Sequence, residues 1–337
     1  MKLLRYILFP VVPFYYLVTW LRNKCYDLGV FKSTSYNFPV ICVGNLSVGG
    51  TGKTPMIEYL IRLLSSEYKL ATLSRGYKRK TDGFIVADTH TTVADIGDEP
   101  FQFYNKFKDV IVSVDANRVE GIAHLRELAT VPEVVLLDDA FQHRKVKAGF
   151  YIMLTAYDKL YATDFVLPTG DLREPRSGAK RANIIVVTKC PTGISVDEKN
   201  RIKALLQVAS HQTVVFSEIM YANTMVSLKS EEPLAHLKDK PFTLVTGIAK
   251  AQPLVDYLKA KGLEFQHMNF KDHHDFTEKE ICTLKAQAFI LTTEKDFMRL
   301  SADFKSSKTP LFYLPIEVQI DELEVFNTLV KTFVSKN

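Results

Sequence analysis

A glycine-rich turn between an apolar run and an amphipathic run constrains this chain more than any other stretch. It reads Val43-Gly44-Asn45-Leu46-Ser47-Val48-Gly49-Gly50-Thr51-Gly52-Lys53-Thr54-Pro55. Glycines let successive backbone N–H groups point at phosphate oxygens, a lysine adds a mobile positive charge, and a threonine hydroxyl is a ligand type for Mg²⁺. Ser47, Val48, Gly49, Gly50, Thr51, Gly52, Lys53 and Thr54 are therefore the candidate nucleotide-binding residues. Ser47 stands where the generic G-x-x-x-x-G-K-[ST] pattern has its first glycine, but the strand before and the helix after keep the reading. Pro55 suits a first helical turn, where its missing N–H costs little.

Such a turn belongs to β/α alternation, and the chain supplies it. Strands are predicted at Pro39–Val43, Leu70–Leu73, Val110–Val114, Val134–Leu137, Tyr151–Leu154 and Ile184–Val187, with helices over Thr54–Ser65, Pro100–Phe107, Asn117–Leu128 and Asp197–Val208. The strands are apolar at successive positions, as expected of strands covered on both faces. A polar stretch, Lys229–Pro241, precedes a second set: strand Phe242–Val245, helices Pro253–Lys261 and Glu278–Lys285, strand Phe289–Leu291 and a closing helix from Asp321. The expected fold class is α/β: a P-loop NTPase-like, doubly wound, mostly parallel sheet with a second, smaller α/β domain and an N-terminal membrane-associating segment. The expected boundaries are 1–32, 33–220 and 221–337.

Charge separates that N-terminal segment from the rest. Lys2, Arg5, Arg22, Lys24 and Lys32 stand against Asp27 alone, which places four of the five net positive charges in the first 32 residues. A body that bound nucleic acid would spread a basic patch over a folded domain, so none is expected as a partner. At 47% hydrophobic and 24% charged, the chain is neither disordered nor a polytopic membrane protein. Tyr6–Leu21 is apolar or aromatic except for Thr19. As a helix it spans roughly 24 Å, short of a hydrocarbon core of about 30 Å, and Pro10 and Pro13 are expected to interrupt it. No A-x-A cleavage site follows, which argues against a signal peptide. Its aromatic residues and flanking cations suit the headgroup boundary, and a buried core helix is the alternative. The four cysteines form no C-x-x-C pair, as expected in a reducing compartment.

The second element a P-loop needs is a carboxylate at the end of an apolar strand, and Val134-Val135-Leu136-Leu137-Asp138-Asp139 offers two. A guanine-nucleotide switch should also carry N/T-K-x-D after a late strand. Thr188-Lys189-Cys190-Pro191 has proline where the aspartate belongs. Membrane-positioning ATPases carry a signature lysine directly before the paired glycines, a position filled here by Val48. Both alternatives lose ground.

Further polar clusters follow strands or break helices: Ser74-Arg75-Gly76-Tyr77, Gly97-Asp98-Glu99-Pro100, Asn117-Arg118-Val119-Glu120-Gly121, Asp139-Ala140-Phe141-Gln142-His143-Arg144, Gly170-Asp171-Leu172-Arg173-Glu174-Pro175 and Asp272-His273-His274-Asp275. Singly each has an ordinary explanation, such as an N-cap, a surface ion pair or a solvated loop. Together, in this order around G-N-L-S-V-G-G-T-G-K-T-P, they resemble the tetraacyldisaccharide 4′-kinase family, the lipid A kinases of Gram-negative bacteria. The resemblance runs from the N-terminal segment to Thr292-Thr293-Glu294-Lys295-Asp296, and the departure at Ser47 belongs to the family's own pattern.

The resemblance implies transfer of the ATP γ-phosphoryl group to the 4′-hydroxyl of a tetraacylated glucosamine disaccharide 1-phosphate, with ATP and Mg²⁺ as cofactors. It implies Asp98 as the base, assisted by His273, with Lys53 on the phosphates. Thr54 serves the metal, and Asp138, Asp139 and Glu174 stay open as its carboxylate ligand. Tyr77, Glu99, Arg118, Gln142 and Arg173 are assigned to substrate or nucleotide contacts. The expected partners are ATP and a lipid substrate at the membrane surface, without an obligate protein partner, at the cytoplasmic face of the inner membrane. The alternative from another class is a membrane-recruited P-loop ATPase or GTPase switch acting on a partner protein.

Overall fold

The computed structural model describes Arg5 and residues 7–337; Lys2 and Tyr6 of the expected N-terminal segment lie outside the described residues. Helix α1 (Val12–Asp27) carries Pro13 in its first turn, and a short 3₁₀ turn from Phe9 to Val11 leads into it. The prolines expected to interrupt a helix thus begin one, because the first-turn N–H groups have no helical acceptor to lose. Among the described residues no helix is long and apolar enough to cross a membrane. The core-helix alternative is not what is found, since only Val12 and Asn23 of α1 are buried.

The larger sheet contains β1 (Val40–Asn45), β2 (Leu70–Ser74), β3 (Ile111–Val114), β4 (Val134–Asp138), β5 (Phe150–Ala156), β6 (Ile184–Thr188) and β7 (Thr213–Tyr221), with the short edge strand Ile85–Val86. The smaller sheet contains β8 (Thr243–Thr246), β9 (Gln266–Asn269), β10 (Ile290–Thr292) and β11 (Leu311–Tyr313), extended by Thr224–Val226 and Glu231–Pro233. The last strand, β12 (Ile316–Ile320), returns to the larger sheet, whose order is β12-β7-β6-β5-β1-β4-β2-β3 and then Ile85–Val86. Its pairs are parallel except at the two edges, where β12 and Ile85–Val86 run antiparallel to their neighbours.

Every residue of β1, β2, β4 and β6 is buried, as the unbroken apolar runs require. One face is covered by α2 (Lys53–Leu64), α3 (Asp98–Lys106) and the closing helix; the other by α4 (Arg118–Arg126) and α5 (Val196–Leu206). The smaller unit packs α6 (Gln252–Ala260), α7 (Glu278–Lys285) and α8 (Glu294–Phe304) around its own sheet. The closing helix, α9 (Leu323–Ser335), departs from the expected boundary at 221. Phe326, Val330 and Val334 form one apolar stripe at four-residue spacing, and that stripe seals the larger sheet. The residues after 315 therefore belong to the larger unit, because β12 needs the edge of β7, a strand absent from the sequence-based set.

Phe326 is fully buried, with its ring edge-on to Tyr59 at 5.6 Å. Phe326→Ala is expected to destabilise the larger unit by about 3–5 kcal/mol, the cost of a large core truncation. Urea unfolding followed through that unit checks this, and an unchanged midpoint would detach α9 from the larger core.

Candidate active site

In a parallel sheet all strands end at the same edge, and here β1 and β4 are neighbours with Val43 opposite Asp138. The glycine-rich turn and the acidic pair therefore emerge side by side. The turn is fixed from within and from both flanks. Asn45 donates from Nδ2 to Thr51 Oγ1 at 2.8 Å, and the Thr188 hydroxyl donates to the Thr51 carbonyl at 2.7 Å. Val48 N–H donates to the Asp171 carbonyl at 2.8 Å, and Lys189 Nζ reaches the Gly50 carbonyl at 2.5 Å. Thr188 and Lys189, read above only as a failed guanine signature, thus brace the loop. Gly52 caps α2 at φ +91°, placing Lys53 and Thr54 in its first turn.

Lys53 Nζ lies 3.7 Å from Asp139 Oδ1, and Arg173 grips the same carboxylate with Nη2 at 2.8 Å and Nη1 at 3.2 Å. Burial alone would raise Asp139, but Lys53 and Arg173 hold it below the ordinary carboxylate range. Asp138 is different. Burial pushes it up to about 6, against the pull of Lys53. Among the described residues its Oδ2 accepts only the Ser74 hydroxyl, at 3.3 Å, and its Oδ1 is buried without any partner. An orphaned buried carboxylate oxygen beside a helix that starts with a lysine and a threonine fits a divalent cation. Among the described residues no group of three His, Cys, Asp or Glu side chains could hold a metal unaided.

Two of the expected site residues are enclosed. Arg118 is 3% exposed, and its guanidinium donates to the carbonyls of Ala116 at 3.1 Å and Asp138 at 3.4 Å. Those bonds brace the end of β4, while Arg118 Nε is buried without a partner among the described residues. Glu174 is also enclosed. Its Oε1 accepts from Gln142 Nε2 at 2.9 Å and Arg181 Nη2 at 2.8 Å, and its Oε2 from Arg181 Nη1 at 3.0 Å and Asn23 Nδ2 at 2.5 Å. Those four donors use the carboxylate's four lone-pair sites, so no oxygen is left for a metal. Gln142 also donates to the Asn45 carbonyl at 2.9 Å, and Tyr15 of α1 donates to the Arg173 carbonyl at 3.0 Å. The R-E-P motif is where α1 is fastened to the site.

The third cluster lies at the junction of the units. Gly97, at φ +88°, starts α3 where a Cβ would stand 2.8 Å from the Tyr77 carbonyl, so S-R-G-Y and G-D-E-P meet through a position that only glycine fits. Asp98 Oδ2 faces His273 Nδ1 at 3.0 Å, 175 residues away in sequence. Tyr77 lies edge-on to the His273 ring at 5.8 Å, and its side chain is otherwise exposed. Glu99 accepts from Lys295 Nζ at 2.6 Å. Asp98 also accepts from Arg299, Nε at 3.1 Å to Oδ1 and Nη2 to Oδ2. Burial would raise Asp98, yet the hydrogen bonds and charges of His273 and Arg299 hold it well below the usual range. Arg299, Lys295 and Arg181 were missed by sequence reasoning. The available signal was the spacing of Lys295 and Arg299, four apart on one helix face after T-T-E-K-D.

A family model described as LpxK, tetraacyldisaccharide-1-P 4′-kinase, matches residues 4–334. A tetraacyldisaccharide 4′-kinase of Flavobacterium johnsoniae is 50% identical over 343 residues, covering 100% of this chain and 99% of that protein. Its counterpart in Phocaeicola vulgatus is 42% identical, covering 98% and 95%. A crystal structure of the "apo" form of LpxK from Aquifex aeolicus in complex with ATP superposes with a TM-score of 0.80 at 30% identity, covering 98% of this chain and 99% of the other.

Removing Glu174 leaves the half-buried Arg181 guanidinium, with Asn23 and Gln142, without their shared acceptor. Glu174→Ala is expected to cost about 3–5 kcal/mol in protein free of nucleotide and metal, as breaking a buried ion pair does. Denaturant unfolding with a chelator present checks this. A purely metal-binding glutamate would leave that midpoint unchanged.

Proposed function

The chain belongs to the tetraacyldisaccharide-1-P 4′-kinase family, and from that premise we propose how its residues carry out the transfer. It is an ATP-dependent 4′-kinase of lipid A synthesis, and the nucleotide-switch alternative is not favoured. The observation that carries the residue-level reading is the convergence of three groups: the braced phosphate loop, the Lys53–Asp139–Arg173 ion cluster beside Asp138, and the Asp98–His273 pair.

The Lys53 ammonium and the loop amides from Ser47 to Thr54, apart from that of Val48, which is spent on Asp171, bind the β- and γ-phosphates of ATP. Thr54 and Asp138 are the residues that would hold Mg²⁺, a role supported by the unpartnered Asp138 Oδ1. Mg²⁺, when bound, neutralises charge on the phosphate oxygens. Asp139, pinned by Lys53 and Arg173, keeps both cations aimed into the site. Asp98 and His273 form the pair that accepts the proton of the acceptor hydroxyl. As the O–H bond breaks toward that pair, the hydroxyl oxygen bonds to the γ-phosphorus. The bond from that phosphorus to the bridging oxygen breaks, and ADP leaves with the electron pair. Tyr77, Glu99, Gln142 and Arg173 line the approach.

The N-terminal helix supplies the setting. Phe14, Leu17 and Leu21 are each more than half exposed, whereas Tyr15, Arg22 and Asn23 fasten the helix to the site. An apolar face flanked by cations suits a peripheral position on anionic lipid, at the cytoplasmic face of the inner membrane, where the lipid substrate lies.

Incubating the protein with ATP, Mg²⁺ and purified tetraacyl disaccharide 1-phosphate is expected to add one phosphate to the lipid, read by mass spectrometry. Slow release of inorganic phosphate alone would overturn the assignment. Asp98→Ala is expected to lower kcat by about 10²-fold or more with ATP affinity kept, the range supplied by a positioned base. Replacing Phe14, Leu17 and Leu21 together by serine should abolish sedimentation with anionic vesicles while ATP binding persists. Equal sedimentation of the variant and the parent would remove the membrane role.

A further inference from the structure

Among the described residues, Arg299 is the one group that touches both members of the Asp98–His273 pair. Its side chain is 9% exposed, and its fork meets both Asp98 oxygens while Nη2 stands 2.9 Å from His273 Nδ1. Its third nitrogen, Nη1, faces Asp296 Oδ1 at 3.4 Å. Asp296 is fully buried. Its Oδ2 accepts the Gly247 N–H at 2.8 Å and the Thr293 hydroxyl at 2.6 Å. The Gly247 carbonyl in turn accepts the His273 N–H at 3.1 Å, which fixes His273 in a left-handed backbone conformation at φ +55°. Asp296 therefore holds Arg299 and His273 in one rigid frame within the smaller unit, while Asp98 comes from the first turn of α3 in the larger unit.

We propose that Arg299 is a positioning residue for phosphoryl transfer: its guanidinium fixes the Asp98 carboxylate against the His273 ring and keeps the pair in its proton-accepting state. This rests on the reading of Asp98 and His273 as the proton-accepting pair. A cation bonded to both Asp98 oxygens favours the ionised carboxylate, so Asp98 stays free of its proton to lower pH than it would alone. A guanidinium fork also fixes the carboxylate plane, which a point charge does not. The other charged or titratable groups facing the pair are Asp296 from α8, Asp272 at 4.0 Å from His273 Nε2, the Lys295–Glu99 ion pair and the Tyr77 ring. None of them spans the two partners.

The test is the pH dependence of kcat for the full-length enzyme, alongside Asp98→Ala as control. Arg299→Gln removes the cation, so the acid limb of the kcat profile should move up by about one pH unit, with KM for ATP little changed. A lost fold contact that mattered only for stability would lower the amount of active enzyme without moving that limb. Arg299→Lys keeps the charge and loses the fork. Its acid limb should stay near that of the parent, while kcat falls by about tenfold from loss of alignment. An unmoved limb in Arg299→Gln, or full kcat in Arg299→Lys, overturns the proposal, and the second result decides even where the glutamine variant does not fold. Full kcat in Asp98→Ala would instead overturn the reading beneath it.

Discussion

Parallel strand order is the constraint on which the rest depends. Once β1 and β4 are neighbours running the same way, the phosphate loop and Asp138 must leave the sheet at one edge, a single strand spacing fixing what neither sequence segment fixes alone. β6, two strands from β1 on the other side, ends at the same edge and delivers Thr188 and Lys189 to the loop. The turn is thereby held by side chains from a strand far along the chain. Such bracing matters because a loop that presents many unpaired N–H groups to a ligand has few bonds of its own to keep its shape.

The junction between the units is built on a different principle. Val93 and Phe101 are larger-unit side chains that pack on the smaller core, and around them the contacts are ionic: Lys106 with Glu294 at 2.9 Å, Lys295 with Glu99, and Arg299 with Asp98. Lys106 is shared with Glu58 at 2.7 Å, so one cation faces two buried carboxylates. Burial, with Glu58 adding to it, pushes Glu294 up to about 7. Buried pairs of this kind add little net stability for their desolvation but strongly specify orientation. Three cation–carboxylate contacts from one helix, α8, fix how the two halves meet, and in doing so fix the distance from Asp98 to His273.

The sequence was most legible where chemistry is local. Glycines, Lys53 and Thr54 declare a phosphate loop by spacing alone, and six strands of the larger sheet could be read from unbroken apolar runs. Contacts that depend on tertiary assembly were not legible. Arg299 is one arginine on an amphipathic helix, 201 residues from Asp98, and nothing in its neighbourhood reports the partner. The stripe of Phe326, Val330 and Val334 declares that α9 buries a face, but an amphipathic pattern does not say which sheet receives it. The family resemblance places Glu174 and Arg118 among metal, nucleotide or substrate contacts, and nothing local in the sequence reports how enclosed they are. Their enclosure follows from Asn23, Arg181 and Gln142 in one case and from backbone carbonyls in the other, all supplied by distant segments.

Helix α1 is not a tether. Tyr15, Arg22 and Asn23 bind it to Arg173, Gln142 and Glu174, and Asp27 binds Arg144 at 2.7 Å, so the helix is fastened along its length to the residues that shape the site. A flexible leash would let the catalytic body tumble over a bilayer and meet headgroups at any angle. With α1 lying on lipid as proposed, a rigid splint would turn the lipid surface into a levelling plane: the attitude of the helix on the surface would become the attitude of the phosphoryl-transfer axis. Encounters would then lose orientational freedom before the acceptor sugar arrives, and a search in three dimensions and all angles would become one over a plane with the tilt already set.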